Sequence, residues 1–239
     1  PWGADYKYDL YVDLTVENKE IIHALLSRCE ERSAQLAEEQ QKTTGVRARC
    51  YVTQVNQQTS NVLEERGFQK IKYIYNMQAR FDALPQPVKL PDGISVRNPI
   101  PGQDDQTIYE FIQSAFERPG RRRQSFEDWK GFMLRADIFK PELWFLAMRG
   151  EKMVGACLCY QYSGSDQGWV RQLGVLDSVR RTGLGSALLH HAFNEFYKRG
   201  FRKVGLAVES ENLRAIHFYE NVGMKQTRCY VEYSKEITV

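Results

Sequence analysis

The residues best suited to chemistry lie in one short stretch, Arg180–Phe193, which reads RRTGLGSALLHHAF. Two arginines, a threonine and two glycines precede apolar residues at helical spacing. Glycines let the backbone approach a ligand closely, and the first N–H groups of a helix bind anions with the help of the helix dipole. Arginine and threonine side chains add donors that suit a pyrophosphate. The same stretch also fits a turn that starts a helix with its arginines in water, so both interpretations stay open at this point.

Two well-known phosphate loops do not match this stretch. A Walker A motif requires Lys and then Ser or Thr after its second glycine, whereas Gly185 is followed by Ser186 and Ala187. The dinucleotide-binding fingerprint requires a small residue at position 188, which is Leu188. The loop therefore belongs to neither class.

The elements that position this loop follow from hydrophobic periodicity and capping signals. Residues 94–234 are predicted to form the order β-α-α-β-β-β-α-β-α-β, which is typical of an α/β sheet covered by helices. Ser125 is predicted to cap the second helix. The longest helix is predicted over 183–199, with one apolar line formed by Leu184, Leu188, Ala192 and Phe196.

A second feature is an internal repeat. The stretch ALPQPVKLPDG, residues 83–93, is predicted to be a linker between residues 1–82 and residues 94–239 because its prolines and its Asp-Gly disfavour regular structure. Residues 51–77 align without a gap on residues 207–233, at a constant difference of 156 (223 − 67 for the terminal glycines). We interpret this as a duplication whose first copy is incomplete, preceded by a helix at 19–39 and a strand at 8–16.

Composition excludes few classes of protein. With 42% hydrophobic and 26% charged residues and a net charge of +3, the chain is typical of a water-soluble globular protein and too balanced in charge to indicate nucleic-acid binding. No apolar run is long enough to cross a membrane. The five cysteines show no paired spacing, which favours reduced thiols and a cytoplasmic location.

The loop in its context resembles a known family. The pattern Val-x4-Arg-x2-Gly-x-Gly, from Val175 to Gly185, resembles motif A of the GCN5-related N-acetyltransferase (GNAT) superfamily, although Asp177 stands where that family usually has proline. The segment VESENLRAIHFYENVGM, residues 208–224, resembles motif B. With its N-terminal repeat, the chain is similar to tandem, mycothiol-synthase-like members. The resemblance implies an α/β fold with a mixed, mostly antiparallel twisted sheet flanked by helices, and a partial second copy at the N-terminus.

The resemblance also implies acetyl-CoA as co-substrate, and direct attack of an amine on its thioester. The pantetheine arm would pair with backbone of the preceding strand at Leu173, Gly174 and Val175, and Asn212 would line it. An amide near Val175 would stabilise the oxyanion. The pyrophosphate would be held by Arg180, Arg181, Thr182, Gly183, Leu184, Gly185 and Ser186. The first copy has no glycine in the equivalent stretch, so it is not expected to bind CoA.

Tyr219 is the candidate general acid. A phenol of pKa ~10 can protonate a departing thiolate of pKa roughly 8.5 when the two are within hydrogen-bond reach. The alternative is a core aromatic residue in the apolar stripe with Ala215 and Ile216. The first copy has Leu63 at this position, as expected of a non-catalytic half.

The general base and the acceptor site are not assigned. Glu209 and Asp166 are the nearby carboxylates, each more typical of a solvated surface residue. The basic loop at 121–123 either recognises an anion or is simply solvated. Adjacent His190 and His191 lack partners at ligand spacing, so no metal is expected. Several aromatic residues could line a pocket but are more typical of a core: Trp129, Trp144, Tyr160, Tyr162 and Trp169.

The favoured function is therefore transfer of an acetyl group from acetyl-CoA to a primary amine of a small molecule or peptide, by the C-terminal domain. We expect a monomer or homodimer that binds neither nucleic acid nor membrane. The alternative is a non-catalytic module that binds acyl-CoA and regulates another process.

Overall fold

The computed structural model describes residues 5–9, 19–41, 46–118, 123–135 and 137–238. Two compact units are present. The first contains the described residues up to 77 together with 207–219 and 226–238, and the second contains those of 78–206 and 220–225. Both units contain helices and strands, as expected of an α/β protein.

The first unit contains strands β1 (Asp5–Asp9) and β2 (Arg47–Thr53), and helices α1 (Lys19–Glu39) and α2 (Gln57–Glu65). Most of strand β3 (Gln69–Arg80), helix α6 (Leu213–Asn221) and strand β9 (Lys225–Glu236) also belongs to it. Strand β2 pairs in parallel with β1 and antiparallel with β9. A buried apolar cluster lies on one face of these strands and includes Leu26, Cys50, Val62, Leu63, Phe68 and Tyr233.

The second unit contains strands β4 (Ser95–Arg97), β5 (Trp144–Arg149), β6 (Lys152–Tyr160) and β7 (Gly168–Val175), and the first part of β8 (Lys203–Glu209). Its helices are α3 (Asp105–Ala115), α4 (Phe126–Met133) and α5 (Leu184–Lys198). Strands β4 to β7 are antiparallel neighbours, and β7 pairs in parallel with β8. The prediction of a mixed, mostly antiparallel sheet flanked by helices is confirmed.

Helices cover both faces of the strands of the second unit. A Cβ on Gly155 would lie 3.0 Å from Leu188 of α5, whereas a Cβ on Gly174 would lie 3.1 Å from Ala115 of α3. The apolar line predicted for α5 is buried along its whole length. Ser125 caps α4 as predicted, because its hydroxyl oxygen accepts a hydrogen bond of 3.1 Å from the Asp128 backbone N–H.

The repeat inferred from the sequence also relates the observed elements. Each element of the first copy has a counterpart that begins and ends 156 residues later. Strand β2 corresponds to β8, α2 to α6 and β3 to β9 (203 − 47, 213 − 57 and 225 − 69). Both copies end their helix with a left-handed glycine, Gly67 at φ 81° and Gly223 at φ 86°. Helix α1 has the predicted bounds, whereas the strand expected at 8–16 overlaps β1 only at 8–9, and 10–18 lie outside the described residues.

Gly168→Ala is expected to lower the free energy of unfolding by about 1–3 kcal/mol. Its Cβ would lie 2.5 Å from ring atoms of Phe196, which is fully buried and cannot move aside without repacking. Urea denaturation followed by the fluorescence of Trp129 and Trp144, which are buried in the same unit, measures this loss.

Gly131→Ala is the matched control. Gly131 lies inside α4 with no atom within 4 Å of its Cβ position, so the substitution should raise stability by about 0.5–1 kcal/mol. Equal stability of Gly168→Ala and the unsubstituted protein would contradict the close packing of β7 against α5.

Candidate functional site

The loop between β7 and α5 presents unpaired backbone donors. Gly183 precedes the first turn of α5 at φ 89°, and no side chain caps the helix. The first helical hydrogen bond runs from Ala187 N–H to Gly183 C=O at 3.0 Å, so the N–H groups of 184–186 have no acceptor within the helix. A Cβ on Gly183 would meet nothing within 4 Å. This is an open helix N-terminus that fits a phosphate group.

The side chains of the loop divide into two groups. Arg180 forms an ion pair with Asp177, and the Thr182 hydroxyl donates a 2.8 Å hydrogen bond to Val179 C=O, so both stabilise the loop. Arg181 is exposed and has no carboxylate partner among the described residues. It adopts a left-handed conformation at φ 63°, which is strained for a residue other than glycine. Arg181 and the backbone amides are therefore the donors available to an anion.

The strand ahead of the loop pairs with β6 along its length. Gly155 lies opposite Val175, Ala156 opposite Gly174, and Cys157 opposite Leu173. Parallel pairing with β8 is registered at Gly168–Val204 and Trp169–Gly205. The predicted pantetheine-binding residues 173–175 thus lie in the same unit as the candidate phosphate loop and four residues ahead of it in the chain.

The other two predicted site residues, Asn212 and Tyr219, belong to the first unit. The side-chain oxygen of Asn212 accepts a 3.2 Å hydrogen bond from Ala215 N–H at the start of α6. Asn56 in the first copy makes the same bond to Thr59 N–H at 3.0 Å. The repeated asparagine is therefore explained by helix capping, and a role in CoA binding would use its amide nitrogen.

Tyr219 is half-buried, with its ring centroid 5.2 Å from that of Phe218. Its counterpart Leu63 is fully buried in the apolar cluster of the first unit. The two copies therefore differ at this position both in chemistry and in exposure, and the acid role of Tyr219 stays a prediction.

Both carboxylates considered as a general base are held by lysines. Lys203 donates to Asp166 and holds the pKa of that carboxyl below its usual range. Lys72 Nζ lies 2.6 Å from Glu209 Oε1 and 3.6 Å from Glu232 Oε2, and Glu232 also pairs with Arg49. This network joins residues far apart in the sequence, so the spacing of charged residues along the chain could not predict it.

The aromatic residues are mostly core, as expected. Trp129, Trp144 and Tyr160 are buried in one cluster with α3 and α4. Burial lowers the pKa of His190 and of His191, and no group of three metal-ligating side chains occurs among the described residues. The predicted basic loop lies partly outside the described residues, at 121–122, and Arg123 pairs with Glu110 at 2.6 Å.

Strand β7 carries a further feature that sequence reasoning did not predict. The register between β6 and β7 shifts by one residue and leaves Arg171 of β7 without an opposite residue. Its guanidinium lies over the ring of Phe132 in α4. Such irregularities depend on pairing with a neighbouring strand, and no local sequence signal indicates this one.

Comparison with known proteins identifies one family. The model of the Acetyltransferase (GNAT) family matches residues 106–224. The chain is 28% identical over 173 residues to mycothiol acetyltransferase of Streptomyces scabiei, covering 71% of this chain and 54% of that protein. It resembles the solved structure of a GCN5-related N-acetyltransferase from Sphaerobacter thermophilus with a TM-score of 0.68 and 30% identity, covering 81% of this chain and 61% of that one.

The tandem organisation has a structural counterpart as well. A tandem GNAT protein from the clavulanic acid biosynthesis pathway shares the fold, with a TM-score of 0.67 and 14% identity over 93% of this chain and 71% of that one.

The chain spans about half the length of the curated relatives it matches, 54% in the Streptomyces scabiei case. None of the helices among the described residues is long and apolar enough to span a membrane. The chain belongs to the GCN5-related N-acetyltransferase superfamily and carries a partial second copy of that fold at its N-terminal end.

Proposed function

We propose that this chain is an N-acetyltransferase that moves the acetyl group of acetyl-CoA to a primary amine by direct attack. The observation that carries the proposal is the open N-terminus of α5, where Gly183 leaves three backbone N–H groups without an acceptor in the helix. Arg181 stands beside them with no carboxylate partner among the described residues. These donors suit the pyrophosphate of CoA, and they lie within the segment that the family model matches.

In the proposed reaction the amine nitrogen attacks the thioester carbonyl carbon. A C–N bond forms, the C–S bond breaks, and the CoA thiolate takes a proton from the Tyr219 hydroxyl, which water then reprotonates. Backbone of 173–175 positions the arm of the substrate, and an amide near Val175 stabilises the oxyanion. The proton that the ammonium must lose leaves by water, because Asp166 and Glu209 are both held by lysines.

The proposal assigns the chemistry to the domain at 94–239, joined by the linker at 83–93 to a non-catalytic copy at 1–82. Leu63 supports this assignment, since an apolar side chain at the position of Tyr219 cannot donate a proton. The acceptor is a small molecule or peptide. The proposed location is the cytoplasm, and the five free cysteines are consistent with a reducing compartment.

Two measurements test the proposal. Calorimetric titration should show saturable binding of acetyl-CoA, and thiol release from acetyl-CoA should depend on the presence of an amine from a broad panel. Binding without amine-dependent thiol release would favour the alternative, a regulatory acyl-CoA-binding module. Absence of binding would rule out both functions.

A further inference from the structure

Strand β7 carries one more residue than the facing part of β6. Leu158 lies opposite Gln172 and Cys159 lies opposite Val170, so Arg171 between them has no opposite residue. A β-bulge of this kind re-aims the side chain of the extra residue. The Arg171 side chain is exposed, and its guanidinium carbon lies 5.1 Å from the centroid of the Phe132 ring.

The surroundings of Arg171 are aromatic. Phe132 is 44% exposed and Tyr162 is 42% exposed, and they are the two large aromatic side chains that are exposed in the described part of the second unit. Burial raises the pKa of Tyr162 and the charge of Arg171 opposes that rise, which reflects the closeness of the two groups. We call Arg171, Phe132 and Tyr162 the arginine–aromatic surface.

Arg171 differs from the other arginines of this region in its pairing. Arg135 donates two hydrogen bonds to Asp137, at 2.6 and 3.1 Å, and Arg123 is paired with Glu110. Arg171 has no carboxylate partner among the described residues. The side-chain oxygen of the adjacent Gln172 is buried and has no hydrogen-bond partner among the residues that the structure describes. An unpaired guanidinium held over an aromatic ring is well suited to binding an oxyanion through two parallel hydrogen bonds.

We propose that Arg171 binds an oxyanion of the acceptor, so that the preferred acceptors are amines that also carry a carboxylate or a phosphate. This inference rests on the proposed acetyltransferase function. Arg171 precedes Val175 by four residues, roughly 13 Å along an extended strand. Because the arginine side chain can span part of this distance, the amine and the oxyanion of the acceptor lie on the order of 10 Å apart, as in a short peptide.

Matched pairs of amines test the inference. Triglycine and triglycinamide differ in one carboxylate, and 6-aminohexyl phosphate and 6-aminohexanol differ in one phosphate. We expect the KM of the charged member to be about tenfold lower than that of its neutral partner, in whichever pair carries the preferred oxyanion. Arg171→Gln should remove this difference. The control is Arg135→Gln, which removes a nearby guanidinium that is already paired and should retain the difference.

The outcomes separate the inference from the proposed function. Equal KM values for both members of each pair, unchanged in Arg171→Gln, would overturn the inference and leave the acetyltransferase function standing. If acetyl-CoA binds but no amine is acetylated, the proposed function fails, and calorimetry with triglycine and with 6-aminohexyl phosphate then decides the inference. Binding of either ligand that Arg171→Gln abolishes supports it, and absence of binding of both overturns it.

Discussion

Tyr219→Phe is expected to lower turnover by about 10²–10⁴-fold while leaving the affinity for acetyl-CoA unchanged. The substitution removes one hydroxyl and keeps the ring beside Phe218, so the half-buried packing of α6 is preserved. Without the hydroxyl, the CoA thiolate must leave unprotonated or take its proton from water. Steady-state kinetics with a saturating amine and calorimetric titration with acetyl-CoA separate the two effects.

Tyr197→Phe provides the control for this experiment. Tyr197 lies on α5, where its ring faces the guanidinium of Arg202 at 4.0 Å, and loss of its hydroxyl should leave turnover unchanged. Unchanged turnover in Tyr219→Phe as well would remove the acid role and leave Tyr219 as a packing residue.

Gly183→Asp is expected to weaken acetyl-CoA binding by about 100-fold, or about 2.8 kcal/mol. The new carboxylate would stand at the positive end of α5, next to three N–H groups that have no acceptor in the helix, and would both occupy these donors and repel a pyrophosphate. The Cβ itself meets nothing within 4 Å, so steric overlap does not account for the loss.

Gly183→Asn separates charge from backbone strain. Asn and Asp have nearly the same shape, and both must adopt the φ of 89° seen at this position. We expect Gly183→Asn to unfold at about the same temperature as Gly183→Asp and to retain most of the affinity. Equal affinities of the two variants would show that the loop does not hold a phosphate at this point.

Much of the fold was predictable because it depends on local signals. The apolar line of α5, the Ser125 cap of α4 and the bounds of α1 follow from periodicity and capping, which act within a few residues. The equal offset between α2 and α6 was also visible, because a duplicated segment keeps the spacing of its turns. The acid role of Tyr219 and the domain bounds 1–82 and 94–239 stay predictions.

The parts that were not predictable involve pairing over long distances. Strand β9 pairs with β2, which joins Arg47 to Glu236, and this pairing places Glu232 against Arg49. Spacing cannot indicate such contacts, since any strand edge of suitable length offers the same backbone groups. The hydrogen bonds within the loop at 180–186 could not be predicted from the sequence either. Nothing in the residue type of Thr182 shows that its hydroxyl is directed at Val179 C=O.

The sequence by itself determined most of the elements and the repeat, and it predicts a phosphate-binding loop at 180–186, because glycine conformation, helix capping and side-chain charge are properties of the local chain. Only the tertiary structure decided which donors of that loop are available and where Arg171 lies. Both depend on partners brought together by folding: Asp177 and Val179 occupy Arg180 and Thr182, and the pairing of β6 with β7 creates the bulge. A polar side chain is free to bind a ligand when folding leaves it without a partner, and the tertiary structure decides which side chains these are.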